Sequence, residues 1–252
     1  MLILVTNDDG VHSAGLRTLS QALSHVGEVV IIAPDRNRSA VGHALTLDHP
    51  LRAEEIRPQV FAVDGTPTDC VNLGVHGLLQ KRPDLVVSGI NRGSNVGDDI
   101  SYSGTVCAAL EATLMGLPAF AISLDTDHFS EKDLDLAASF AKSLAEKISI
   151  KGLPEETFLN VNVPSGRCAG AQLTRQGRRR YEESVVSKQD PRGRSYYWLG
   201  GSNVGFEDIP GSDCNALQQG FISVTPLQTN MTNENTYPEM EHWSFSGMTG
   251  VN

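Results

Sequence analysis

Two adjacent aspartates, Asp8 and Asp9, come directly after the apolar run LILV at residues 2 to 5. Neighbouring carboxylates repel each other strongly unless a proton or a cation lies between them. A hard divalent cation such as Mg²⁺ or Mn²⁺ would remove that repulsion, because it prefers carboxylate, hydroxyl and amide oxygens as ligands. The segment NDDG also fits a tight turn in which Asp8 caps the next helix. Spacing alone leaves both interpretations open.

Two more loops at the ends of predicted strands are rich in oxygen-bearing side chains and glycine. PDRNRSAVGH follows the second predicted strand and contains Ser39, and NRGSNVGDDISYSGT follows the VVSGI strand and contains Asn91. In an open parallel sheet, ligands bind outside the carboxyl ends of the strands, where neighbouring loops diverge. Ser39 and Asn91 could therefore complete a cation site that begins with Asp8 and Asp9.

The third loop also predicts a place for an anion. SGT at residues 103 to 105 begins a predicted helix, and a helix N-terminus with small hydroxyl residues binds anions, most commonly phosphate. An ordinary helix cap is the alternative interpretation. If phosphate binds, we expect Asn95, Ser103, Gly104 and Thr105 to hold its oxygens and to stabilise charge that develops during reaction.

The sequence lacks the motifs of several common classes of protein. The chain has no GxGxxG at the first turn, no GxxxxGK[ST] and no GxSxG, so dinucleotide, P-loop and α/β-hydrolase functions are not indicated. His12 and His43 lie in candidate loops and could act as general acids, although single histidines there are more often structural. The basic run RQGRRRY is followed at once by Glu182 and Glu183, which favours a solvated or intersubunit face over a nucleic-acid patch.

Composition limits the partners. Thirty acidic residues against twenty basic ones give the 252-residue chain a formal charge of −10, which opposes the phosphate neutralisation that nucleic-acid binding needs. No segment approaches the roughly 20 apolar residues that cross a bilayer, and the first residues lack a signal-peptide pattern. We therefore expect no nucleic acid as main partner, no membrane partner and a cytoplasmic protein. The four cysteines form no CxxC pair, so reduced structural thiols are expected.

Short β-rich runs alternate with helical periodicity through the first half of the chain. The runs LILV, EVVIIA, DLVVSGI and AFAISL are apolar on both faces, which is typical of buried parallel strands. Apolar residues at helical spacing predict helices over 16–26, 71–79 with a cap at Thr68 or Asp69, 103–116, and 134–148. This alternation predicts an α/β fold with a doubly wound, mostly parallel, Rossmann-like sheet.

The second half has a different pattern. FLNVNV and FISVTPL are β-like, and the polar stretch 175–212 between them predicts hairpin arms with aromatic contact points that pack on another subunit. We therefore expect two regions. Residues 1–165 form a Rossmann-like core that carries the metal and phosphate site, and residues 166–252 form a β-rich region with arms and a tail that partly completes the core.

Five segments, in order along nearly the whole chain, resemble the survival protein SurE family of nucleoside-monophosphate phosphatases. They are LVTNDDGVHSAG, VVIIAPDRNRSAVGHALTL, GTPTDC, DLVVSGINRGSNVGDDISYSGTV and GFISVTPL. The resemblance is weakest between about 126 and 156 and in the last twenty or so residues. One departure is Cys107, where we expect glycine or alanine, and a small apolar side chain there leaves the helix start intact.

The resemblance implies a SurE-like fold and a divalent-metal-dependent phosphatase for nucleoside 5′- and 3′-monophosphates, with short polyphosphate as a further substrate of some members. It implies one divalent ion per subunit, held by Asp8 and Asp9 of NDDG, Ser39 of DRNRS and Asn91 of SGIN. It also implies a homodimer or homotetramer formed through the C-terminal arms.

The expected mechanism is in-line attack on phosphorus by a water that the metal activates, with Asp8 or Asp9 collecting the proton. Attack by an aspartate to give an aspartyl-phosphate is an alternative, although the DxDx[TV] pattern of haloacid-dehalogenase phosphatases is absent. A non-catalytic sensor that binds a nucleotide through the same residues is the alternative function. A purely structural oligomer would not explain oxygen ligands in three separate loops.

Overall fold

The computed structural model describes residues 1–182, 185–199, 203–241 and 243. Its strands are β1 (Leu2–Thr6), β2 (Glu28–Pro34), β3 (Ala53–Arg57), β4 (Val60–Val63), β5 (Leu85–Arg92), β6 (Ala119–Asp125), β7 (Thr157–Pro164), β8 (Gly170–Leu173), β9 (Arg179–Glu182), β10 (Val185–Gln189), β11 (Ser195–Leu199), β12 (Asn203–Phe206) and β13 (Phe221–Gln228). Its α-helices are α1 (Ala14–Leu23), α2 (Pro67–Leu73), α3 (Gly104–Leu114), α4 (Glu131–Lys151), α5 (Asp213–Gln218) and α6 (Tyr237–Met240). A π-helical turn (Gly74–Leu78) follows α2, and a 3₁₀ helix (Gly97–Tyr102) precedes α3.

Nine of these strands form one sheet, in the order β3-β4-β2-β1-β5-β6-β7-β13-β8. The strands from β4 to β7 in that order run parallel to their neighbours, whereas β3 is antiparallel to β4 and β13 is antiparallel to β7. The predicted α/β fold with a mostly parallel sheet is confirmed. The parallel arrangement brings the carboxyl ends of β1, β2 and β5 to one edge, where the three predicted site loops begin.

Helices cover both faces of the sheet. Ile3 and Val5 of β1 belong to the apolar cluster that includes α1 and α4, and Leu4 between them belongs to the cluster that includes α2 and α3. All three of these β1 side chains have no exposed surface. β1 is thus apolar on both faces because helices cover both of them, which confirms the prediction of a doubly wound sheet.

Several predicted boundaries are wrong. α1 ends at Leu23 and not at residue 26, and α2 begins one turn earlier than expected, with Thr66 as its cap. The Thr66 hydroxyl accepts the Asp69 N–H at 3.1 Å while the Asp69 carboxylate accepts the Thr66 N–H at 2.8 Å. This reciprocal pair explains the correction, because Asp69 stabilises the helix start from the third position and is not the cap itself.

The edge hairpin β3–β4 was not predicted, because AEEIR lacks the apolar alternation of a half-buried strand. Its position at the edge of the sheet explains that composition, since β3 has one strand neighbour and is largely exposed. Along the described residues, no α-helix combines the length and the apolar character that a bilayer crossing requires.

The polar stretch 175–212 forms an extended arm of two antiparallel pairs, β9 with β12 and β10 with β11. Glu183, the second acid after RQGRRRY, lies outside the described residues, as do 184 and 200–202. β13 pairs with β7, so the C-terminal region contributes to the main sheet. The division at residue 165 and the role of the arm in assembly stay predictions.

Candidate functional site

The NDDG turn is held by the residue before the aspartates. The Asn7 Oδ1 accepts the Gly10 N–H at 3.1 Å, and the Asn7 Nδ2 donates to the Ser13 Oγ at 2.8 Å. Ser13 is the cap of α1, and its Oγ accepts the Leu16 N–H at 3.2 Å. The interpretation of Asp8 as the cap of the next helix is therefore wrong, because Ser13 caps α1 while Asn7 holds the turn.

Asp8 lies at the bottom of the candidate site with 4% of its surface exposed. The Thr105 hydroxyl donates to its Oδ1 at 2.7 Å, and the Thr105 N–H donates to its Oδ2 at 3.3 Å. Burial, with a smaller contribution from the charge of Asp9, raises the pKa of Asp8 to about 6. An ionised Asp8 is thus costly in the protein alone, and a nearby cation would remove that cost.

Asp9 is half-buried beside it and is also held by neutral donors. The Arg92 N–H donates to its Oδ2 at 3.2 Å, and the Asn37 Nδ2 donates to its Oδ1 at 3.4 Å. Burial raises the pKa of Asp9 above its ordinary value, and the Arg92 N–H bond and the charge of Arg92 partly oppose that rise. Within the described parts of the chain, neither Asp8 nor Asp9 forms an ion pair with a basic side chain.

Ser39 and Asn91 both present oxygen atoms that remain able to bind a cation. The exposed Ser39 donates its hydroxyl proton to the Asn37 Oδ1 at 2.7 Å, which leaves lone pairs on the Ser39 Oγ. The Asn91 Nδ2 donates to the Gly93 carbonyl at 2.8 Å, which fixes the amide, and no described residue donates a hydrogen bond to its Oδ1. Each side chain therefore presents an oxygen atom that can act as a metal ligand.

The three strand-end loops meet around a cleft of about 330 Å³, whose lining includes Asp8, Ser39 and Asn91. Two carboxylates with hydroxyl and amide oxygens fit a hard cation such as Mg²⁺ or Mn²⁺. Among the residues that the structure describes, no three or more His, Cys, Asp or Glu side chains are grouped to hold a metal ion. A site here would accordingly depend on neutral oxygens as well as on the aspartate pair.

The start of α3, where the sequence predicts an anion site, lies beside Asp8. The Ser103 Oγ caps the helix by accepting the Val106 N–H at 3.1 Å, and its own proton stays available to a ligand. Gly104 is the first helical residue, so its N–H has no acceptor within the helix. The Cys107 N–H donates to the Ser103 carbonyl at 3.0 Å, so the unexpected cysteine leaves the helix start intact.

The other two predicted phosphate ligands, Thr105 and Asn95, are already engaged within the protein. The Thr105 hydroxyl and N–H both hold Asp8, and the Asn95 Nδ2 donates to the Ser123 Oγ at 2.7 Å. Asn95 and Ser103 line the cleft, whereas Thr105 lies behind Asp8. Their contacts with a phosphate stay predictions.

A buried pair of asparagines, which was not predicted from the sequence, positions the loop that carries Asn95. The Asn95 N–H donates to the Asn162 Oδ1 at 2.7 Å, and the Asn95 carbonyl accepts from the Asn160 Nδ2 at 2.8 Å and the Asn162 Nδ2 at 3.0 Å. Both asparagines of β7 are fully buried. The signal was present in FLNVNV, where two amides at alternate positions face the same side of an otherwise apolar strand.

The base of the arm is connected by hydrogen bonds and an ion pair to the loop that carries Asn95. The buried Asp213 of α5 accepts the Gly97 N–H at 3.0 Å and the Gly177 N–H at 2.8 Å. Arg179 pairs with Asp99 at 2.8 Å, and its side chain is 18% exposed. Arg179 is therefore mostly buried and not solvated, because its guanidinium pairs with the carboxylate of Asp99 in the cleft loop, while an intersubunit face for the rest of the run stays a prediction.

The two candidate histidines have different environments. His12 is exposed and is not part of the cleft lining. A ring nitrogen of His43 forms a hydrogen bond of 2.5 Å with the Glu111 Oε2, and the Asn72 Nδ2 donates to the Glu111 Oε1 at 2.6 Å. His43 thus ties the loop that contains Ser39 to α3, which makes a structural role its best-supported one.

We expect Glu111→Gln to lower the free energy of unfolding at pH 7 by about 1–3 kcal/mol, because the amide has no charge and only one acceptor oxygen for the bonds from His43 and Asn72. The pKa of Glu111 lies below its ordinary value of 4.5, chiefly because of the His43 bond. A lowered carboxyl pKa stabilises the fold above that ordinary value, and the stabilisation is lost as the pH falls through the folded-state pKa. Urea unfolding at pH 7 and at pH 4 should therefore show a smaller deficit for the variant at pH 4.

Glu146→Gln is the matched control, because Glu146 is half-exposed and pairs with Lys142 at 3.9 Å on one helix. Its effect should stay below about 0.5 kcal/mol at both pH values. Equal deficits for the two variants would contradict the role of the His43–Glu111 contact.

These features define an open, doubly wound α/β protein with an oxygen-rich cleft at the carboxyl edge of its sheet. The family model for survival protein SurE matches residues 3–183, and the chain belongs to that family. It is 62% identical over 246 residues to the 5′-nucleotidase SurE of Syntrophotalea carbinolica, covering 98% of each chain. It is 56% identical over 252 residues to the 5′-nucleotidase SurE of Geobacter metallireducens, covering 99% of this chain and 100% of the relative.

A solved structure supports the same conclusion about the fold. The crystal structure of the SurE protein from Aquifex aeolicus matches with a TM-score of 0.84 and 40% sequence identity. The match covers 96% of this chain and 98% of that one. The family resemblance and the fold class that the sequence predicted are both confirmed.

Proposed function

We propose that this chain is a divalent-metal-dependent phosphatase that hydrolyses nucleoside 5′- and 3′-monophosphates to nucleoside and phosphate, with short polyphosphate as a further substrate. Nucleotidase activity follows from the relatives, which carry the name 5′-nucleotidase at up to 62% identity over nearly the full chain. One observation carries the metal requirement. Asp8 is buried next to Asp9 in a site where, among the described residues, no basic side chain pairs with either of them.

Asp8, Asp9, Ser39 and Asn91 would hold one divalent ion per subunit, with Mg²⁺ and Mn²⁺ as the best candidates. When bound, such an ion supplies a Lewis acid and an activated water for attack on phosphorus. Thr105 keeps the Asp8 carboxylate in one orientation through two hydrogen bonds. Asp8 or Asp9 would take the proton of the attacking water.

The start of α3 would bind the phosphate group next to that ion. The Gly104 N–H and the Ser103 hydroxyl proton are the groups best placed to donate to phosphate oxygens. Donors that are fixed before the reaction stabilise charge as it develops on those oxygens. The second N–H of the Asn95 amide would add to them, because the first is bonded to Ser123.

Phosphate release from a panel of nucleoside monophosphates and an aryl phosphate tests the proposal. The protein should be inactive in chelator and active once Mg²⁺ or Mn²⁺ is restored. Turnover that persists in chelator would contradict the metal requirement. Tight nucleotide binding without turnover under any ion would overturn the proposal in favour of a non-catalytic sensor.

We also propose a homodimer or homotetramer assembled through the arm. Tyr197, Trp198 and Leu199 of β11 are 64%, 63% and 86% exposed, which is unusual for large apolar side chains on one short strand. Light scattering should give a mass of two or four chains, and a monomer would contradict this assembly. The cytoplasmic location and the division of the chain at residue 165 stay predictions.

A further inference from the structure

Two tyrosines, Tyr102 and Tyr181, line the same cleft as Asp8, Ser39 and Asn91. Tyr102 is 66% exposed and Tyr181 is 47% exposed. We propose that these two rings form the subsite for the base of the nucleotide substrate, an inference that rests on the proposed function. The subsite would distinguish nucleotides from phosphate monoesters that have no base.

Tyr102 is placed next to the anion site by the backbone. It is the last residue of the 3₁₀ helix and directly precedes Ser103, the cap of α3. Its carbonyl accepts the Gly42 N–H at 3.1 Å, which ties it to the loop that contains Ser39. The side chain itself makes no hydrogen bond within the described residues, so its ring is available to a ligand.

Tyr181 reaches the cleft from β9, at the base of the arm. Its hydroxyl donates to the Asp99 Oδ1, and the Asp99 Oδ2 accepts from the Arg179 Nε at 2.8 Å. A tyrosine side chain has only two rotatable bonds, so fixing its hydroxyl largely fixes its ring. Arg179 also balances the charge of Asp99, which would otherwise repel a phosphate.

The chemistry of the cleft favours a base as the occupant of this part. Tyr102 and Tyr181 are the only aromatic side chains among the described lining residues, and the rest of the lining is mostly polar or charged. A nucleotide has both a phosphate for the oxygen-rich part and a flat aromatic face for the rings. Stacking on aromatic side chains serves every base, since each base has a π-face. The cleft of about 330 Å³ is within the ordinary range for small ligands.

The experiment compares AMP with ribose 5-phosphate, which keeps the sugar and phosphate and lacks the base. Tyr102→Ala and Tyr181→Ala should each raise KM for AMP about tenfold with kcat changed less than about twofold, the loss expected for one stacking contact. For ribose 5-phosphate, kcat/KM should change by less than about twofold. A similar loss of kcat/KM for both substrates, or no loss for AMP, would overturn the base subsite.

Two further variants separate the ring from its hydroxyl and from general surface effects. Tyr181→Phe keeps the ring and loses the Asp99 bond, so its KM for AMP should stay within about threefold of the parent value. Tyr237→Ala removes a tyrosine that is 56% exposed and lies outside the cleft lining. It should leave kcat/KM unchanged for both substrates. A tenfold rise in KM for AMP in Tyr237→Ala would show that such increases do not arise in the cleft, and it would overturn the base subsite.

Calorimetric titration with adenosine in chelator supplies a readout that does not depend on turnover. The parent protein should bind adenosine but not ribose, and Tyr181→Ala should weaken adenosine binding about tenfold. Absence of adenosine binding by the parent, or unchanged binding by the variant, would overturn the inference. Failure of the proposed function would instead appear as no phosphate release from either substrate by the parent protein.

Discussion

Replacing Asp8 by asparagine should lower kcat/KM for nucleoside monophosphates by at least about 100-fold while the protein stays folded. Asp8 is one of only two carboxylates in the proposed donor set, and it is the buried one. An amide keeps the shape of the side chain but removes the charge that would hold a divalent ion. The measurement is phosphate release from AMP at saturating Mn²⁺, together with calorimetric titration of Mn²⁺.

The same variant should not be less stable than the parent protein in chelator at pH 7.5. The pKa of Asp8 is raised to about 6 in the fold, so the native protein holds a proton more tightly than the unfolded chain does. A raised carboxyl pKa means that stability falls as the pH rises from the unfolded value through about 6, and at pH 7.5 that cost is fully present. The neutral amide avoids the cost of burying a charge.

Asp127→Asn is the matched control, because it removes the charge of an exposed aspartate outside the cleft lining. It should leave both phosphate release and Mn²⁺ affinity unchanged. Full activity of folded Asp8→Asn would contradict the proposed role of Asp8 in metal binding.

Gly89→Ala should destabilise the fold by about 3 kcal/mol or more and thereby reduce the yield of folded protein. Gly89 has a φ of +140°, and a Cβ at this position would lie 2.2 Å from the Ile122 carbonyl oxygen on the neighbouring strand. That atom belongs to the backbone of β6, so β5 and β6 would have to separate. Asn91 follows two residues later at a shift in the β5–β6 register and would move with β5.

Gly93→Ala distinguishes the stability cost of a strained backbone conformation from the cost of steric overlap with a neighbouring strand. Gly93 has a φ of +101°, but a Cβ there would meet no atom within 4 Å. It should therefore cost only about 1–3 kcal/mol through its backbone conformation. Urea unfolding of both variants provides the comparison, and a Gly89→Ala protein as stable as Gly93→Ala would contradict the close approach of the two strands.

The sheet and the three site loops were predictable because their signals are local. LILV, EVVIIA and DLVVSGI are apolar on both faces, and a parallel sheet then fixes which loops share an edge. The cap of α2 was misplaced by two or three residues because Thr66, Pro67 and Asp69 act together, and the apolar spacing alone does not show that. The β3–β4 edge hairpin was missed because few of its residues are buried.

The supporting contacts of the site were not predictable, because they join residues far apart in the sequence. His43 and Glu111 are separated by 68 positions, and Gly97 and Asp213 by 116. No pattern in either segment indicates its partner. Tyr181 was assigned to the arm by its surroundings in the sequence, and its place in the cleft lining and its contact with Asp99 are visible only in the structure.

An anomalous difference map from crystals soaked in Mn²⁺ would test the proposed metal site most directly. We expect one peak per chain at roughly 2–2.3 Å from oxygens of Asp8, Asp9, Ser39 and Asn91, and no such peak in Asp8→Asn crystals. A peak elsewhere, or none at this site in crystals of the active protein, would contradict the assignment of these four residues as the metal ligands.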